Sequence, residues 1–155
     1  MIKRIGVIGA GQMGSGIAHV CALKGFDIRL ADVDQAHLDK GIDAISRNMD
    51  RQIGRGMIRP EDKDSALNRI LTSTEYKAFA DCDLIVGFLT TYMTASMLIP
   101  VAQRSGAPVL LLNLQPTEAM DHASFDTGAW LAYCGACPLP EMANAFERCG
   151  VDFRS

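Results

Sequence analysis

The chain has no excess of basic residues. Fifteen Lys and Arg stand against 18 Asp and Glu, for a net charge of −3. With no basic stripe, nucleic acid is excluded as an expected partner. No apolar run approaches the roughly 18 residues that a membrane span needs, so no membrane partner is expected. The opening MIKRIGVIGAGQMG has charges but no apolar stretch ahead of a small-residue cleavage site, so no secretory leader is expected and the cytoplasm is the expected location. The five cysteines (Cys21, Cys82, Cys134, Cys137, Cys149) are odd in number and irregularly spaced. They read as free thiols rather than a disulfide framework. Repeats and low-complexity stretches are absent, and with 48% hydrophobic and 21% charged residues the composition is that of an ordinary globular chain. Its 155 residues suit one domain, 1–155. Lysine is missing after Lys77, and the net charge is zero up to Val86 and −3 beyond it.

What is present is an alternation of apolar strands and helices. Ile2–Ile8 reads as a buried strand, Gln12–Lys24 as a helix stopped by Gly25, and Asp27–Asp32 as a second strand. A long helix follows from Asp34 to about Ile53. Pro60-Glu61-Asp62 has the composition of a helix start. Arg69–Thr72 is a third strand, Tyr76–Ala80 a helical turn, and Asp83–Leu89 a fourth strand. Thr94–Arg104 reads as a helix ended by Gly106-Ala107-Pro108, and Val109–Leu114 as a fifth strand. Pro140–Cys149 is a last helix closed by Gly150, and Val151–Phe153 an edge strand. Strands without in–out alternation are covered on both faces, which means a parallel sheet with right-handed crossovers. The expected class is α/β, a doubly wound, three-layer sheet in the order 3-2-1-4-5 with a sixth strand at the edge.

Gly9-Ala10-Gly11-Gln12-Met13-Gly14 falls between the first strand and first helix. Gly9 permits a tight turn, Gly11 lets backbone approach a pyrophosphate, and Gly14 lets the helix lie close to the strand. The helix start then offers N–H groups and the positive end of its dipole to phosphates. Gly16, a turn later, is expected to allow further close packing. Asp32 ends the second strand 18 residues beyond Gly14, close to the ~20 expected of an acid that accepts hydrogen bonds from an adenosine ribose. A carboxylate there repels a 2′-phosphate, so NAD is favoured over NADP. Arg29 lies earlier on the strand and does not reverse this. The competing reading makes the glycines a packing turn and Asp32 a helix N-cap.

Three segments, IGVIGAGQMGSGIAHVCALKGFDIRLADVD, LDKGIDAISRNMDRQIGRGMI and RILTSTEYKAFADCDLIV, resemble the NAD-binding part of the 3-hydroxyacyl-CoA dehydrogenases, the 3-hydroxybutyryl-CoA dehydrogenases among them. The resemblance covers about residues 1–86. It implies that Gly9, Gly11, Gln12, Met13, Gly14 and Asp32 contact NAD(H). Beyond Val86 the family's Glu, Glu-Asn pair, Lys and His–Glu proton-transfer pair find no match, and no catalytic residue is assigned. His122, in the loop MDHASFD, has no paired Glu and reads as an exposed loop residue.

The remainder, TYMTASMLIPVAQRSGAPVLLLNLQPTEAMDHASFDTGAWLAYCGACPLPEMANAFERCGVDF, is similar to an N-terminal region of L-arabinose/L-fucose isomerase-type proteins over about residues 87–153. The metal-binding Glu and His residues of those enzymes have no counterpart here. Two resemblances meeting within one strand suggest an engineered chimera of halves 1–86 and 87–155, with a partial, weak NAD site and no turnover. The first alternative is an NAD-dependent 3-hydroxyacyl-CoA dehydrogenase fragment. The second is a non-enzymatic sugar or phosphate binder using Thr90, Thr91 and Gln115. A bare sheet edge is expected to favour self-association.

The other candidates are weak. Cys134 and Cys137 have CxxC spacing but no second pair or His for zinc. Asp121 and Asp126 read as solvated loop acids, so no metal site is assigned. Ser15 and Ser96 lack a partnered base. Met93, Met97, Leu98 and Val101 are spaced as a helix face toward the core.

Overall fold

The computed structural model describes residues 1–89, 96, 98–113, 123, 126–127 and 138–154. His122, Asp121, Cys134, Cys137, Thr90, Thr91, Gln115, Met93 and Met97 lie outside the described residues. Six strands are present: β1 (Arg4–Ile8), β2 (Asp27–Ala31), β3 (Ile70–Ser73), β4 (Leu84–Leu89), β5 (Val109–Asn113) and β6 (Phe153–Arg154). The helices are α1 (Gln12–Leu23), α2 (Gln35–Gly54), α3 (Pro60–Asn68), α4 (Ile99–Ser105) and α5 (Pro138–Arg148), with a 3₁₀ turn over Tyr76–Phe79. The strands form one sheet in the order β3-β2-β1-β4-β5-β6, which is the expected α/β topology with its sixth edge strand. The chain divides into two compact units, Met1–Val86 and Gly87–Ser155.

In the first unit β1 pairs in parallel with β2 (Arg4 opposite Asp27 through Ile8 opposite Ala31) and with β4 (Ile5 opposite Leu84). β2 pairs in parallel with β3. Ile5, Val7, Ile28, Leu30, Ile85 and Val86 are buried, because helices cover the sheet as a run of apolar residues without alternation demands. Leu38, Ile45 and Met49 recur along α2 at helical spacing and are fully buried. Asp34 caps α2, its carboxylate accepting the His37 N–H at 2.8 Å. Asp32 is therefore not the cap. At α3, Pro60 takes the first turn and the Asp62 carboxylate accepts the Arg59 N–H at 2.9 Å, as the local sequence led one to expect.

At the amino ends of these strands Asp83 accepts the backbone N–H groups of Lys3 and Arg4 at 2.8 and 2.9 Å. Asp81 takes the guanidinium groups of Arg4 and Arg29 at 2.7 and 3.2 Å. Cys82, between the two acids, is buried, and burial pushes its thiol up to about 11.

In the second unit β5 pairs in parallel with β6, Val109 opposite Phe153. Leu98, Val101, Ala102, Val109, Leu111, Met142 and Phe146 are buried, and Phe146 meets Phe153 edge-to-face at 5.7 Å. Helix α4 starts at Ile99, five residues later than expected. Pro100 is the reason: it has no N–H to give and clashes with a preceding turn, so it belongs in the first turn and not in the interior of a helix begun at Thr94. Strand β6 also starts later than expected. Gly150 adopts φ +66° and Val151 donates its N–H back to the Phe146 carbonyl, so both residues finish α5 instead. Among the described residues, no helix is long and apolar enough to cross a membrane.

Candidate functional site

Strand β1 runs directly into the glycine loop. Gly9 turns with φ +92°, which glycine enters without steric cost. Its N–H donates to the Ala31 carbonyl at 2.7 Å. The next N–H, of Ala10, donates to Asp32 Oδ2 at 2.6 Å. The Ala10 carbonyl accepts from the buried Ser15 hydroxyl at 2.7 Å. The loop is thus sewn to the end of β2 on one side and to α1 on the other.

The next amides are left open. Gly11 is the N-cap of α1 and brings no side chain, and the first turn holds no acid. The N–H groups of Gln12, Met13 and Gly14 have no intrahelical partner because they open the helix. Among the described residues no acceptor faces them. A Cβ at Gly11 would meet none of the described residues within 4 Å, so the loop leaves room at the helix start. A Cβ at Gly14 would lie 1.8 Å from the Gly9 carbonyl oxygen, so helix and loop touch there. Gly16 does not have the packing task expected of it: a Cβ there would meet nothing within 4 Å. The close approach falls instead at Gly41 of α2, whose Cβ would come within 2.8 Å of the Ala10 carbonyl and 2.9 Å of the Ser15 hydroxyl.

Asp32 sits beside this loop with its side chain 13% exposed. Oδ2 holds the Ala10 amide. Oδ1 accepts the Val33 N–H at 2.7 Å and lies 3.1 Å from Nδ1 of His37. Burial pushes the carboxyl up, but the two amides and the histidine outweigh it and hold the group below its ordinary value. Three hydrogen bonds leave one of a carboxylate's about four acceptor positions. The open amides fit a diphosphate, and an ionised carboxylate one strand away fits a ribose diol.

The six residues singled out in the sequence, Gly9, Gly11, Gln12, Met13, Gly14 and Asp32, come together at the carboxyl ends of β1 and β2. Sequence reasoning missed Gly41 and His37, and it undervalued Ser15, whose role is to hold the loop. His37 was within reach of inference: it stands three residues after the capping Asp34 and five after Asp32, so the helix start turns it back toward both acids.

The model of the 3-hydroxyacyl-CoA dehydrogenase NAD-binding domain matches residues 4–94. The chain belongs to this family. A 3-hydroxybutyryl-CoA dehydrogenase of Bradyrhizobium diazoefficiens is 48% identical over 86 residues, which are 56% of this chain and 29% of that protein. The crystal structure of (S)-3-hydroxybutyryl-CoA dehydrogenase from Ralstonia eutropha superposes with a TM-score of 0.63 at 28% identity, covering 76% of this chain and 44% of the other. The 3-hydroxybutyryl-CoA dehydrogenase of Escherichia coli K12 superposes over 99% of the chain and 38% of its own, with a TM-score of 0.65 at 19% identity, a likeness of fold. The chain spans about three-tenths of the length of the curated relatives it matches. The family match runs past Val86–Gly87. The comparisons lend no support to an engineered join there, to an isomerase-like origin of 87–155 or to a weakened cofactor site.

Proposed function

We propose that this chain is the NAD(H)-binding portion of an oxidoreductase of the 3-hydroxyacyl-CoA dehydrogenase type, the reading first set out above as the alternative to a turnover-less chimera. One observation carries it. The loop satisfies its own polar groups at Gly9, Ala10 and Ser15, yet leaves the amides of Gln12, Met13 and Gly14 open beside an ionised Asp32. In this reading the α1 amides hold the diphosphate, with the helix dipole favouring its charge. Asp32 accepts from the adenosine ribose, and the 75%-exposed Val33 next to it gives the adenine an apolar surface. When bound, the nicotinamide supplies or accepts the hydride. The chain's own residues fix where the coenzyme lies. The family's proton-transferring pair has no match in this chain, so the acyl-CoA substrate and turnover are proposed for a protein that supplies that pair.

Titration with NADH, followed by its fluorescence, tests the reading. Saturable binding that is lost in Gly11→Ala and weakened in Asp32→Ala is expected. Binding that survives both substitutions unchanged refutes it.

A further inference from the structure

Among the described residues, His37 is the one titratable side chain in contact with Asp32. Its own backbone N–H is fixed by Asp34, and its ring is 54% exposed. Nδ1 lies 3.1 Å from Asp32 Oδ1 and 3.6 Å from Asp34 Oδ2. Among the described residues, the charged groups in contact with the ring are Asp32 from the end of β2 and Asp34 from the start of α2, and the first turn of α2 adds no further acid. When the ring is neutral, the patch beside the ribose position carries two negative charges. When the ring is protonated, it carries one.

We infer that His37 is a specificity-determining residue for the 2′ position of the nucleotide: its imidazole, by holding or releasing a proton against Asp32, sets how strongly a 2′-phosphate is refused. This rests on the proposed placement of the ribose at Asp32. Asp32 alone would make discrimination against a 2′-phosphate constant wherever the carboxylate is ionised. With His37 against it, discrimination is strongest when the ring is neutral and relaxes as the ring gains a proton. Removing one unit of like charge about 4 Å from a phosphate charge, with the screening of bulk water that an exposed ring has, changes affinity by about fivefold.

The test is the ratio of NADPH to NADH dissociation constants, measured by fluorescence titration at pH 8 and pH 5.5, which span the range where histidines ordinarily titrate. In the unmodified chain the ratio is expected to fall about fivefold more on acidification than in His37→Gln. The glutamine variant keeps a donor near Asp32 and retains whatever protonation of the 2′-phosphate itself contributes. An NMR titration of the His37 ring gives a second readout, in which NADPH raises the pH of its midpoint more than NADH does. Parallel ratios in the two proteins, or a ring midpoint indifferent to the 2′-phosphate, overturn the inference while NADH binding stands. Failure of NADH itself to bind at pH 8 overturns the site reading and this inference with it.

Discussion

The two ends of the first unit's sheet use the same chemistry for different ends. At the amino ends, Asp83 takes the amides of Lys3 and Arg4, and Asp81 takes two guanidinium groups. At the carboxyl ends, Asp32 takes the amides of Ala10 and Val33. In both places a carboxylate fastens backbone to backbone across neighbouring strands. The difference is what remains open. Below, the acids serve strand ends and cations of the chain itself. Above, the loop turns into a helix whose first amides face open space. A pinned strand end becomes a binding site only when a helix start, which cannot satisfy its own donors, is aimed beside it.

Substitutions can break this comparison, and the largest effect belongs to Gly14. A Cβ there collides with the Gly9 carbonyl, so Gly14→Ala is expected to cost about 3 kcal/mol in urea unfolding and to abolish NADH binding. Gly41→Ala comes next. Its Cβ presses on Ala10 and Ser15, and the strain of roughly 1–3 kcal/mol outweighs the ~1 kcal/mol that alanine gains in a helix. Lower stability is expected together with weaker NADH binding, because the displaced atoms are the loop's own anchors. A stabilised Gly41→Ala protein would show that α2 does not hold the loop.

The sharpest comparison pairs the two acids. Asp32→Ala is expected to weaken NADH about tenfold, since the ribose hydrogen bond is lost together with the bonds that pin Ala10 and Val33, each of about 0.5–1.5 kcal/mol. Asp83→Ala is expected to lower the melting temperature while leaving the NADH dissociation constant unchanged. Equal effects on NADH would erase the distinction between the ends. Both carboxyls are held below their ordinary values: Asp32 by amides and His37 against the opposing effect of burial, Asp83 by the Lys3 and Arg4 amides. Each therefore binds fewer protons folded than unfolded. Their stabilisation is full above the unfolded value of about 3.9 and disappears as pH falls through the lower folded values. Replacing both with asparagine is expected to flatten the acid side of a stability–pH profile. The smallest effect is at Gly16. With open space around its Cβ position, Gly16→Ala is expected to stabilise by up to about 1 kcal/mol through helix propensity, with NADH binding unchanged.

Much of this was legible in the residues. Strand β1, the glycines and α1 are local in sequence, and each step of that run has its own signal: an apolar run, a turn residue, an apolar stripe. Asp32 was legible because the crossover fixes its distance along the chain. Asp34 rather than Asp32 as the α2 cap was not, because both acids precede the helix and only the backbone path distinguishes them. The start of α4 was misplaced for a local reason that was present and unused, Pro100. Gly16 and Gly41 were exchanged in importance. The glycine nearest in sequence to the loop, Gly16, has no neighbour within 4 Å of its Cβ position, and Gly41, 25 residues farther on, is pressed against the loop.

By itself the sequence determined the parallel α/β class, the order of its strands, and the cradle with its ribose acid, because hydrophobic patterning, glycine geometry and crossover length all act along the chain. The tertiary structure alone decided which amides are already engaged, that Ser15 and Gly41 hold the loop, and that His37 stands against Asp32. Those are distances between residues that no local propensity relates. They exist only once α2 has packed over the loop.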